Sequence, residues 1–235
     1  MELKEFWGRV DAEIARFDLL QHPFYQAWSA GELTAEDLKF YAQQYYHQVS
    51  QFPTYLTTLH ARLPEGAVRR EVLANAHDEE CVGCSHSELW LRFLQGMGGN
   101  ANELNEQARL PEISNLVNTF RSLAQQAPVA AVFGALFAYE SQVPRIASEK
   151  LNGLKKHYGA DAATCSYFTL HQKADVLHSN VWREIISGLV RQDATQTEHV
   201  LGGVLQAAHA LWVALDGIER ERLQRGCARG SAVLN

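Results

Sequence analysis

The 235-residue chain is 46% hydrophobic and 20% charged, with a net charge of −6, a composition that can fill the core of one large domain and excludes an intrinsically disordered chain. Its 21 Lys and Arg form no block, which excludes the basic footprint of a nucleic-acid binder. Four cysteines are too few for a disulfide framework, and the acidic, amphipathic N-terminus followed by no run of about 20 apolar residues predicts a cytoplasmic protein that stays out of membranes.

Apolar positions recur at helical spacing nearly throughout, and alternating strand-like runs are missing. This predicts an all-α fold, one compact bundle of seven to eight helices over residues 1–225 with a flexible tail over 226–235. The first helix covers Leu3 to Phe17, and His22-Pro23 opens a second that ends at Gly31. Thr34 and Asp37 form a capping-box pair for a third helix, which runs through a kink at Pro53 to Arg62. The fourth spans Ala67 to Met97 before Gly98-Gly99, and the fifth Pro111 to Gln126. The sixth runs from Pro128 to Tyr158, the seventh from Ser166 to Arg191 and the eighth from Thr197 to Arg225.

On the seventh helix, Phe168, Leu170, Ala174, Leu177, Val181, Trp182, Ile185 and Leu189 share one face. His171, Asp175 and His178 fall in or beside that apolar stripe, where three titratable groups are costly unless something compensates them. The Asp175-x-x-His178 spacing is that of a carboxylate–histidine pair in di-iron bundles. The fourth helix repeats the anomaly. Glu79 and His86 are seven residues apart, which stacks them on one face about 10 Å apart along a continuous helix. Asp78 and Glu80 turn away from that face. On the sixth helix Glu140 lies in the row of Phe133, Leu136, Phe137, Ala147 and Leu151, and Pro144 bends the helix beside it. Three carboxylates and three imidazoles thus point to one core. Each alone is most simply a hydrogen-bonded core residue, but together they suit a site for two metals, iron or manganese, because no thiolate is present and six ligands exceed what one open metal needs.

Cys81-Val82-Gly83-Cys84 has redox-pair spacing but lacks a βαβ context or a second ligand pair, so it is expected to be two ordinary thiols on the helix face opposite Glu79. The aromatic run from Phe40 to His47 is expected to pack in the core and on the surface, and His22, His47, His60 and His209 to be structural.

The chain resembles the CADD-like branch of the heme-oxygenase-like superfamily along nearly its whole length. The resemblance is carried by His22-Pro23-Phe24-Tyr25, by the segment Leu38 to Pro53, and by Glu79-x6-His86, Glu140 and His171-x3-Asp175-x2-His178. The related quinone synthases do not require all six ligands. The thiaminase-type hydrolases need a cysteine where this chain has Phe137. The resemblance implies an oxygen-activating dimetal enzyme (Fe/Fe or Fe/Mn) with an external reductant, making para-aminobenzoate for folate synthesis from one of its own tyrosines. It implies Tyr25 as ring donor, Lys150 as amino donor, and Tyr41 and Tyr139 as companions near the metals. A homodimer and an electron-donor partner are expected. Two alternatives are a dimetal oxidase of a diffusible small molecule and, in another class, an interaction module for a death-domain-like partner.

Overall fold

A computed structural model describes the backbone of residues 2–105 and 108–232, and the side chains of all of these except 105 and 228–232. Its elements, in order, are α1 (Leu3–Arg16), α2 (Pro23–Ala30), α3 (Ala35–Val49), α4 (Phe52–Arg62), α5 (Ala67–Glu80), α6 (His86–Gly96), α7 (Pro111–Gln126), α8 (Val129–Glu140), α9 (Val143–His157), α10 (Ser166–His171), α11 (Ala174–Gln192) and α12 (Gln196–Ala232). Two short 3-10 turns complete the set, and none of the described residues is in a strand.

Four helices expected to be continuous are each broken in two. Pro144 and Pro53 each sit at the second position of the helix after a break. A proline there removes the N–H that would continue the preceding helix, so α8 ends at Glu140 and α3 at Val49 instead of merely bending. Between α5 and α6 the chain turns at Gly83, whose φ of +70° suits glycine, and Ser85 with Glu88 forms the capping box that starts α6. Between α10 and α11 neither glycine nor proline is present. There the His171 side chain bonds back to the Tyr167 carbonyl at 2.7 Å, a contact that loosens the last turn of a helix.

The centre of the bundle is α8, buried at every position from Ala130 to Glu140, as a helix apolar on all sides must be. It packs on α12, α11 and α7. Gly134 and Gly203 let α8 and α12 meet backbone to backbone, since a Cβ on either would run into a carbonyl of the facing helix. α12 is long and apolar enough, at a mean hydropathy of 1.3, to match a membrane span, contrary to the expectation that no such run exists, but 61% of that window is buried inside the bundle. α12 also continues past Arg225 and Gly226 to Ala232, so the glycines do not stop it, and residues 233–235 lie outside the described ones.

Candidate metal centre

The breaks place the predicted polar residues at helix ends that converge. Glu79 is next to last in α5 and His86 is first in α6; Glu140 ends α8, His171 ends α10, and Asp175 and His178 lie in the first turns of α11. Instead of standing two turns apart, Glu79 Oε2 and His86 Nδ1 are 2.7 Å apart, because the chain reverses between them. All six are buried, Glu140 completely. Their ligand-type atoms form two groups, Glu79 with His86 and His171, and Glu79 with Glu140, Asp175 and His178, each spanning no more than 4.8 Å. Glu79 is common to both.

The bonding within the cluster tests whether cations fit. His86 Nδ1 is close to Glu79 but makes no hydrogen bond, and Asp175 Oδ2 and His178 Nδ1 are likewise buried without hydrogen-bond partners. His178 Nδ1 lies 3.4 Å from Glu140 Oε1 and 3.5 Å from Asp175 Oδ1, ion-pair contacts longer than a charge-assisted hydrogen bond. Three buried carboxylates with such incomplete pairing are costly, and two divalent ions would neutralise them. Without a cation, burial lifts Asp175 above the usual carboxylate range. At His178 burial opposes charge, yet Asp175 and Glu140 together outweigh it and hold the imidazole in its protonated form. His171 moves the other way, down to about 3, through burial and the neighbouring His86. Its Nδ1 donates to the Tyr167 carbonyl, which fixes the tautomer and leaves Nε2 with a free lone pair. A mixed oxygen and nitrogen donor set without thiolate suits iron or manganese.

Beside the cluster lies a cavity of about 30 Å³ lined by Tyr25, Tyr45, Trp90, Tyr139, Lys150 and Tyr167 among others. Tyr167 links the two regions, stacking on the His171 ring at a centroid distance of 3.9 Å. Across the cavity, Lys150 Nζ donates to the Tyr25 hydroxyl at 2.8 Å and the Tyr41 hydroxyl at 2.5 Å, and the two hydroxyls are 3.0 Å apart. Residue type alone favours a solvated Lys150, yet it is buried on α9, its Nζ 4.2 Å from the Tyr25 ring centroid and 4.6 Å from that of Tyr41. These ring contacts favour an ammonium by about 2 kcal/mol, less than the several kcal/mol it costs to bury one with no anion beside it. Burial therefore drives the Lys150 pKa well below its ordinary value and those of Tyr25, Tyr41 and Tyr139 well above theirs. The result is a neutral amine among neutral phenols.

Residues 39–212 match the family model described as "Iron-containing redox enzyme". The chain belongs to this family. Among the relatives of this iron-containing redox enzyme is a 4-aminobenzoate synthase of Nitrosomonas europaea, 41% identical over 93% of this chain and 92% of the relative. Another, from Chlamydia pneumoniae, bears the same name and is 36% identical over 86% of this chain and 90% of its own length. A TenA homologue from Pseudomonas syringae superposes with a TM-score of 0.79 at 16% identity, over 92% of each chain. A CADD-like protein from Nostoc punctiforme gives 0.73 at 18% identity, over 93% of this chain and 99% of its own. Together with a Shewanella denitrificans protein described as having a heme oxygenase-like fold, which gives 0.79 at 15% identity over 94% of this chain and 93% of its own, they show that fold.

Several residues that support this redox site escape a search for ligand types. Asn75 Nδ2 donates to Glu140 Oε1 at 2.9 Å, and Trp182 Nε1 donates to Glu140 Oε2. Asp78, expected to turn away, reaches His178 Nε2 at 3.3 Å. Asn75 precedes Glu79 by four residues and Trp182 follows His178 by four, so one helical turn from a ligand on the ligand's own face was the available signal. The four histidines expected to be structural have other partners: His22 caps α2 and meets Asp216, His47 meets Arg109, His60 meets Arg69, and His209 packs on Phe17. Cys81 and Cys84 are not on a helix face opposite Glu79; they lie in the turn between α5 and α6.

Proposed function

We propose that this enzyme makes 4-aminobenzoate in an oxygen-dependent reaction, taking the ring from Tyr25 and the nitrogen from Lys150. The observation that carries the proposal is the 2.8 Å contact between Lys150 Nζ and the Tyr25 hydroxyl. The product has a six-membered ring, one carboxyl carbon and an amino group para to it. A tyrosine side chain supplies the ring and, as Cβ, a carbon para to the hydroxyl. What remains is to cleave Cα–Cβ, oxidise Cβ to the carboxylate, replace the phenolic oxygen, which leaves as water, by Lys150 Nζ, and cleave the Lys150 Cε–Nζ bond so that the nitrogen departs with the ring, with molecular oxygen as the oxidant. Lys150 places its nitrogen at that oxygen-bearing end of the ring, and burial keeps it an unprotonated amine, the form that can form a C–N bond.

The Tyr41 hydroxyl is nearer still to Lys150, but Tyr25 lines the cavity and so has open space on one side, as an oxygen-derived oxidant requires. A cavity of about 30 Å³ has room for a few water-sized molecules, whereas pockets for external organic ligands run to about 300–1,000 Å³. This favours a substrate already built into the chain. Glu79, His86 and His171 would hold one metal, and Glu79, Glu140, Asp175 and His178 the other, as Fe/Fe or Fe/Mn. Bound there, the pair would supply the electrons that activate oxygen, replenished by an external reductant. The residues around it do the rest: Asn75 and Trp182 orient Glu140, Tyr167 closes the cavity toward His171, and the aromatic wall excludes water.

The test uses protein grown with ring- and Cβ-labelled tyrosine, then given iron or manganese, a reductant and oxygen in unlabelled buffer. Labelled 4-aminobenzoate, at most one per chain, is expected from the parent protein, and none from Tyr25→Phe. Product in excess of the protein, or undiminished in Tyr25→Phe and Lys150→Ala, would mean that the substrate is a free molecule.

A further inference from the structure

The turn between α5 and α6 carries two thiols at matched distances from two members of the metal cluster. Cys81 follows Glu79 by two residues and Cys84 precedes His86 by two. Glu79 and His86 are in contact at 2.7 Å, so a span that would reach over 20 Å if extended is folded back on itself. Gly83, at φ +70°, makes the reversal inside the Cys-x-x-Cys segment. A disulfide needs Cα atoms about 4.4–6.8 Å apart, where an extended chain would hold residues three apart at about 10 Å. A reversing turn with glycine inside it brings that spacing within reach. Both thiols are free, Cys81 exposed and Cys84 half-buried. The Cys84 thiol is not idle: it donates to Glu88 Oε2 at 3.2 Å and accepts from Arg92 at 3.3 Å. The same Glu88 oxygen accepts from the Ser85 backbone N–H at 2.9 Å, which is half of the capping box that starts α6 at His86.

We propose that Cys81 and Cys84 form a reversible disulfide site whose oxidation loosens the hold of His86 on its metal. The oxidant class is a low-molecular-weight disulfide, RSSR. The exposed Cys81 attacks RSSR, giving Cys81–S–S–R and RSH. Cys84 then attacks the Cys81 sulfur, forming the Cys81–Cys84 bond and releasing a second RSH. Two protein thiols are oxidised, one RSSR is reduced to two RSH, and the thiol protons leave with them. The second step pulls Cys84 from Glu88 and disturbs the cap from which His86 projects. The coupling to metal rests on Glu79 and His86 being ligands, as proposed above; the disulfide does not.

The experiment takes metal-loaded, reduced protein without oxygen, treats it with oxidised glutathione, maps peptides without reduction, and follows metal transfer to a chelator. A Cys81–Cys84 linked peptide in monomeric protein is expected, with about tenfold faster metal loss that a small dithiol reverses. The variant C81S/C84S should lose metal at the slow rate of the reduced parent with or without oxidant, and Cys84→Ser alone should accumulate the glutathione adduct on Cys81. Absence of the intramolecular disulfide, a disulfide between chains, or a disulfide with unchanged metal loss would overturn the proposal. If the reduced parent and His86→Ala bind metal equally weakly, the metal assignment fails and takes the coupling with it, whereas the peptide map reports on the disulfide separately.

Discussion

The acidic cluster and the Tyr25–Lys150 pocket are buried alike and lie on either side of Tyr167, yet burial has opposite consequences in the two. The cluster gathers Glu79, Glu140 and Asp175 with three imidazoles, more negative charge than its own hydrogen bonds can balance, and so it calls for cations. The pocket gathers an amine and phenols with no anion among them, and burial removes the charge instead. Desolvation is the same force in both places. What differs is whether partners of opposite sign are at hand, and that difference separates a place for metals from a place for a neutral nucleophile.

The largest effect is expected from removing a ligand of the cluster. Glu140→Ala or His171→Ala should remove at least one of two bound metals per chain and lower oxygen consumption by about 100-fold or more, read by metal analysis and an oxygen electrode. Full metal content and full activity in both variants would contradict it. A smaller effect is expected one shell out. Asn75→Ala and Trp182→Phe each strip one hydrogen bond from Glu140 and should weaken metal binding about 10- to 100-fold while leaving the helical fold intact. Competitive titration with a chelator reads this directly, and parent-like affinity in both variants would mean that Glu140 needs no such support.

The six polar residues of the cluster were legible because charge on an apolar helical face is anomalous wherever it occurs, and the anomaly survives errors in helix boundaries. The boundaries themselves were not legible. The periodicity on either side of Cys81–Ser85 stays in phase, so one helix and two helices leave the same pattern, and the reversal that joins Glu79 to His86 depends on the conformation of Gly83. Pro144 marked its break but not its depth. Lys150 was hidden for another reason: lysine is almost never fully buried, so residue type argues for solvent, and only the likeness to a known family singled it out. Asn75, Trp182 and Tyr167 carry no charge to betray them.

The finest test asks whether Lys150 is truly neutral. Its folded pKa lies below the value of about 10.4 that it has when unfolded, so between the two the unfolded chain binds the extra proton. In that range stability rises with pH. The penalty of holding the amine deprotonated is therefore greatest toward neutral pH and fades as pH approaches 10. Lys150→Met keeps the length of the side chain, removes the penalty, and leaves Tyr25 and Tyr41 bonded to each other at 3.0 Å. Those phenols titrate above 10 when folded, lose stability only beyond that value, and occur in both proteins, so they drop out of the difference below it. Measured on unreacted protein at pH 7, 8 and 9, the variant should melt above the parent, by about 2–4 °C for each kcal/mol released, and the gap should narrow as pH rises. A variant that melts lower at every pH would mean that the rings of Tyr25 and Tyr41 hold an ammonium after all, and an ammonium has no lone pair with which to form the C–N bond.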